Sequence, residues 1–84
     1  MELTIYRVMR ETSWPGADID GCPIMETETA VVLECLSKVE AIRQAQKIFS
    51  KTRAGWVAVF ADRITDRGRI YGDRIYNKYR NYEN

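Results

Sequence analysis

Cys22 and Cys35 are the only thiols of this 84-residue chain, and histidine is absent. A zinc site needs a set of nitrogen and sulfur ligands at close spacing. Two cysteines thirteen positions apart, with no histidine, do not supply one. A serine or cysteine nucleophile needs a base beside it, most often histidine, so Ser–His and Cys–His pairs are excluded. The stretch "GADIDG" (16–21) begins like a calcium loop, but the positions after Gly21 lack the ligand spacing and the closing glutamate. Glu26 and Glu28 share one face of an extended segment, and such an acidic strand face is ordinarily a solvated one. There is no glycine-rich phosphate loop. The expectation is a binding protein, not an enzyme, with no metal and no cofactor.

Binding chemistry is concentrated at the end of the chain, "RIYGDRIYNKYRNYEN". Tyr71, Tyr76, Tyr79 and Tyr82 are interleaved there with Arg69, Arg74, Lys78 and Arg80. From Arg63 to Arg80 six basic residues face two acidic ones, Asp66 and Asp73. Tyrosine stacks on unpaired bases while arginine and lysine hold phosphates. Tyrosine and arginine are equally the anchors of protein interfaces. Earlier in the chain Arg43, Lys47 and Lys51 follow at four-residue steps and line one exposed row of a helix. The overall balance argues against a dedicated nucleic-acid domain. The net charge is +1 and the pI about 7.7, whereas such domains are usually far more basic. Neither a ribonucleoprotein-type aromatic signature nor a helix-turn-helix pair is present.

The small net charge conceals an asymmetry. Residues 1–40 carry three basic and eight acidic side chains, a balance of −5. Residues 41–84 carry ten basic and four acidic ones, a balance of +6. Either the halves interleave and the charges mix, or the molecule is polarised. Eighty-four residues make one domain with a thin core, for which an oligomer or a partner is a natural supplement. No signal peptide is visible, and "WVAVFA" is far short of a membrane span. The chain reads as cytoplasmic with reduced thiols, one Cys22–Cys35 bridge being the alternative.

The elements that must position these residues follow from pattern. Leu3 to Arg10 is rich in β-branched and aromatic residues and predicts a first strand. "TSWPGADIDGCP" predicts a long loop, with Trp14 folded onto the core. A second strand is centred on Thr29 to Cys35, with Val31, Leu33 and Cys35 on one face. Ser37 and Glu40 form a capping box. Ala41, Ile42, Ala45, Ile48 and Phe49 then recur at helical spacing, and Gly55 suits the stop. "GWVAVFADR" is apolar on both faces and predicts a central strand, hairpinned through "TDRG" to a fourth strand at Arg69 to Tyr71. The last segment fits either a short helix capped by Asp73 or an edge strand, and the i, i+4, i+7 spacing of its residues favours the helix. The fold class is α+β: a two-layer sandwich of about four antiparallel strands and one main helix in β-β-α-β-β order. The expected core is Ile5, Val31, Leu33, Ile42, Ala45, Phe49, Val57 and Val59.

The stretch "ECLSKVEAIRQAQKIFSKTRAGWVAVFADRI" (34–64) resembles a pattern in one group of small phage-encoded anti-CRISPR proteins, which inhibit type I surveillance complexes. The matching features are "LS" and the basic amphipathic helix "QAQKIFSK", within the same β-β-α-β-β order. The helix is about one turn longer than the pattern, and the "SWPGADIDGCP" loop and the tyrosine-rich tail depart from it. The resemblance implies a non-catalytic inhibitor that occupies a nucleic-acid-binding surface on a host protein or ribonucleoprotein complex, in the host cytoplasm. It carries over Gln44, Lys47 and Lys51. With the residues argued above, the expected partner-binding set is Arg43, Gln44, Lys47, Lys51, Arg69, Arg74, Tyr76, Lys78, Tyr79 and Arg80. Two alternatives stay open: an accessory module that binds nucleic acid through the C-terminal segment, and a homodimer whose tail covers a neighbour's sheet edge.

Overall fold

A computed structural model describes residues 2–81. Five strands and one helix run in the order β1 (Leu3–Ala17), β2 (Pro23–Cys35), α1 (Lys38–Ser50), β3 (Gly55–Thr65), β4 (Gly68–Ile70) and β5 (Arg74–Arg80). The sheet order is β2-β1-β3-β4, and β5 also pairs with β3. All pairings are antiparallel. β4 lies beside Arg63–Thr65 and β5 beside Gly55–Phe60, so the two share one edge of β3. The expected α+β class, the central place of β3 and its hairpin to β4 are all present.

The C-terminal segment is a strand, not the favoured helix. Its helical spacing of apolar residues loses to the free edge of β3, which satisfies the backbone groups of Arg74–Arg80. A register shift between Val59 and Phe60 puts Ile75 out of phase and breaks the simple alternation. Tyr82 lies outside the described residues.

The predicted loop at Thr12–Pro23 is largely strand. β1 and β2 stay paired from Tyr6↔Cys35 out to Ala17↔Pro23, while β3 stops at Thr12↔Gly55. Residues 13–17 and 23–27 therefore leave the sheet as a two-stranded arm. Fifteen residues at about 3.3 Å each span about 50 Å, which accounts for the molecule's 53 Å long axis. Beyond Thr12 β1 has no paired strand on its β3 side among the described residues, so Pro15 sits there without costing a ladder bond. Asp18 closes the turn. Its Oδ1 accepts from the amides of Asp20 and Cys22 at 2.9 and 2.8 Å, and Gly21 adopts φ +81°.

Ser37 caps α1 as expected, its Oγ accepting from the Glu40 amide at 3.2 Å. The Glu40 side chain turns instead to Gln44 and Arg43. Ala41 and Ala45 of the helix pack on Val8, Val57 and Val59, with Tyr6, Leu33, Cys35, Ile42, Ile48, Phe49 and Tyr76 around them. Small residues on the helix let it approach the sheet closely. Two expected core residues are elsewhere. Val31 is 51% exposed, because a bulge between Val8 and Met9 skips Val32 and reverses the phase of β2, pairing Val31 with Met9. Ile5 is half-buried and pairs with Asp62, outside the core cluster.

Candidate functional site

The sheet face turned away from α1 carries a continuous row of cations and rings. The alternation of β3 sets Trp56, Phe60 and Asp62 on this face, opposite in phase to Val57 and Val59. β1 brings Arg7 beside Phe60. Arg74 lies 5.4 Å from the Trp56 ring and 5.5 Å from Phe60. Arg7 lies 4.5 Å from Phe60 and 5.1 Å from Tyr71, and Arg69 lies 5.2 Å from Tyr71. The row thus reads Trp56, Arg74, Phe60, Arg7, Tyr71, Arg69.

Asp62 anchors that row and is fully buried. Arg7 donates to it through Nε at 2.8 Å and Nη2 at 3.2 Å. Arg69 donates through Nη2 at 2.7 Å and Nε at 3.2 Å. The Gly72 amide adds a third donor group at 2.9 Å. Burial alone pushes the Asp62 carboxyl up, but the Arg7, Gly72 and Arg69 donors together hold it well below the usual carboxylate range. Arg69 also pairs with Glu34, and the Glu34 and Asp62 carboxylates raise its pKa despite partial burial. This cluster joins β1, β2, β3 and the β4–β5 connection. The sequence held a signal for it: an aspartate in phase with Phe60 on a central strand requires a cationic partner.

The expected partner-binding residues divide into two groups. Arg69 and Arg74 belong to the row just described. Arg80 donates to the Thr52 carbonyl and lies 4.4 Å from the Phe49 ring. Arg43 pairs with Glu40, and Gln44 donates to Glu40 Oε1 at 2.8 Å. Those two partners, Gln44 first, hold the Glu40 carboxyl below its ordinary value although partial desolvation opposes them. Tyr76 packs on the core, and its hydroxyl is buried without a hydrogen-bond partner among the described residues. Lys47, Lys51, Lys78 and Tyr79 are exposed. The first group has partners within the chain, although Arg43, Arg74 and Arg80 stay exposed; the second makes no side-chain hydrogen bond or ion pair among the described residues.

The Tyr76 hydroxyl gives a sharp expectation. Tyr76→Phe removes a desolvated polar group and keeps the ring, so thermal stability is expected to hold or rise, by up to about 1 kcal/mol. A clear loss of melting temperature would show that the hydroxyl is bonded in solution.

A feature outside the expected set is the acidic edge. Between Arg10 and Lys38 the chain has six carboxylates and no lysine or arginine. These residues form the outer half of β1, the arm and all of β2, so the charge asymmetry of the sequence becomes spatial. Every residue from Pro23 to Val32 is exposed, and Ile24, Met25, Val31 and Val32 are exposed apolar side chains. β2 pairs only with β1, leaving its outer backbone edge unpaired among the described residues. Within that edge Thr29–Leu33 is uncharged, flanked by Glu28 and Glu34. At the opposite edge β5 carries Arg74, Lys78 and Arg80.

Cys22 is exposed and Cys35 half-buried, and both are free thiols. Among the described residues no group of three His, Cys, Asp or Glu is placed to hold a metal ion. Among those residues, too, no helix is long and apolar enough to cross a membrane. Comparison with protein-family models, with curated proteins and with solved structures finds no match for this chain.

Proposed function

We propose that this is a non-catalytic binding protein that adds its β2 edge to a basic protein surface, of the kind that otherwise receives nucleic acid, and so inhibits the complex that owns it. The single observation carrying this reading is the β2 edge itself, unpaired among the described residues, exposed on both faces and acidic at its flanks. An unpaired edge with β-branched residues is a template for a partner strand. Main-chain bonds would supply affinity there, with Val31 and Val32 as apolar contacts and Glu28 selecting a cationic surface. A second copy's β2 brings the same glutamate and is the poorer match. In this reading the molecule is a two-layer sandwich whose helix backs the sheet and leaves the edge clear. The resemblance to anti-CRISPR proteins agrees with an inhibitory role in a host cytoplasm, and the partner is a host protein or ribonucleoprotein complex.

The test is retention of a partner from nuclease-treated host lysate by three forms of the protein. The parent and a Lys47→Glu control are expected to retain the same protein. Glu28→Lys with Val31→Lys is expected to weaken retention about tenfold or more while leaving the fold intact, because both positions are exposed. Equal retention by the β2-edge variant, or loss of the partner on nuclease treatment alone, overturns the reading.

A further inference from the structure

At the base of the arm, on the helix side of the sheet, lies a groove of about 380 Å³. Its walls include Arg10 and Trp14 from β1, and Lys51 and Arg53 from the segment that leaves α1. The fold forces this meeting. Arg10 and Thr12 pair with Val57 and Gly55, in phase with the face that α1 covers. The Ser13 amide donates to the Ala54 carbonyl at 3.3 Å, tying the arm to the segment after the helix.

We infer that this groove binds a single strand of nucleic acid, its phosphates on Arg10, Lys51 and Arg53 and a base on Trp14. The three cations are exposed, and none forms an ion pair with a described carboxylate. Like charges gathered at one concavity repel one another and attract a polyanion. The end of α1 does not cancel this field, because its carbonyls are already engaged. Ile48 accepts from the Lys51 amide and the Thr52 hydroxyl, Phe49 from the Thr52 amide, and Lys47 from the Ser50 hydroxyl. Trp14 is 38% exposed, and its indole N–H donates to Glu26 Oε2 at 2.8 Å. That bond fixes the ring and leaves surface for stacking, which accepts any unpaired base.

A strand fits better than a lone nucleotide because the groove presents three cations beside one ring, more than a single phosphate can use. A second hollow shares Ser13 and is lined by Tyr79 and Arg80, but Tyr79 pairs with Trp56 and lies on the face turned away from α1. Trp14 and the three cations Arg10, Lys51 and Arg53 thus line the arm's base on one face. Duplex is the poorer ligand, because its bases are stacked and paired. This site is separate from the β2 edge and stands whether or not that edge takes a protein.

The test is fluorescence anisotropy of a labelled oligothymidylate of about a dozen nucleotides, with an oligouridylate in parallel. Affinity is expected to fall about twentyfold as salt rises from about 50 to about 200 mM, as for roughly three phosphates neutralised on a single strand. Arg10→Glu with Lys51→Glu and Arg53→Glu is expected to weaken binding by more than about tenfold. Trp14→Ala is expected to weaken it by about fivefold or more, and Trp14→Phe to restore most of it. Glu28→Lys with Val31→Lys is not expected to weaken it, which separates this site from the protein-binding edge. Thermal melts confirm folding; if Trp14→Ala unfolds the protein, the charge variant and the Trp14→Phe comparison decide. No binding at the lower salt, equal binding by the charge variant, or equally tight binding of duplex or polyglutamate overturns the proposal.

Discussion

Asp62→Ala is expected to destabilise the protein by about 3–5 kcal/mol, the cost of removing one partner from a buried charge cluster. A domain of this size has about 5–15 kcal/mol in all, so the variant should be largely unfolded at moderate temperature. Truncation leaves Arg7, whose side chain is only 12% exposed, facing Arg69 with no anion between them. It also strips the Gly72 amide of its acceptor. The same carboxylate makes stability pH-dependent, with a definite sign. Its folded pKa is depressed below the ordinary unfolded value of about 3.9. The stabilisation is therefore fully present above about pH 4 and is lost as pH falls from there toward the folded value. Urea unfolding midpoints measured from neutral pH downward should fall more steeply for the parent than for Asp62→Asn. Parallel curves for the two, or an Asp62→Ala protein that melts with the parent, would remove Asp62 from this role.

Gly55→Ala is expected to be comparably damaging, at about 2–5 kcal/mol from strain and overpacking together. Gly55 begins β3 at φ +115°, where an L side chain is strained. A Cβ there would also overlap the Glu11 carbonyl across the β1–β3 pair. Backbone cannot yield as a flexible side chain would, so β1 and β3 must separate where the arm leaves the sheet. The loss should appear in denaturant midpoints. It should come with weaker oligonucleotide binding, because Thr12 pairs with Gly55 at the rim of the groove. Gly21→Ala is the control: it also has positive φ, at +81°, but its Cβ position is open, so only the milder strain term applies. Similar costs for both would mean that the β1 approach contributes nothing.

The sequence made some of this legible. The Ser37 cap, the Ala41/Ala45 stripe and the alternation of Val57 and Val59 against Trp56 and Phe60 are local patterns, and local patterns survive into the fold. What failed depended on partners far along the chain. Unbroken alternation puts Val31 in the core, and only the bulge opposite Val8 and Met9 moves it outward. The residues around Pro15 and Pro23 have loop chemistry, and only the long β1–β2 register makes them an arm. The tyrosine-rich tail kept a helical period that the open edge of β3 overrode. The candidate site was legible in composition more than in residues. The acidic first half and the run without a cation between Arg10 and Lys38 were visible, but topology alone puts them along one exposed edge. Arg69, Arg74 and Arg80 had the chemistry of contacts, yet rings and carboxylates of the same chain occupy them.

Amide hydrogen exchange on the free protein and on its complex with the captured partner reads edge pairing at β2 residue by residue. The outward amides of β2 between Ile24 and Val32 are expected to exchange readily in the free protein and to become protected in the complex, while β5 changes little. Protection confined to β5 and the exposed face of α1, with β2 unchanged, would contradict that pairing.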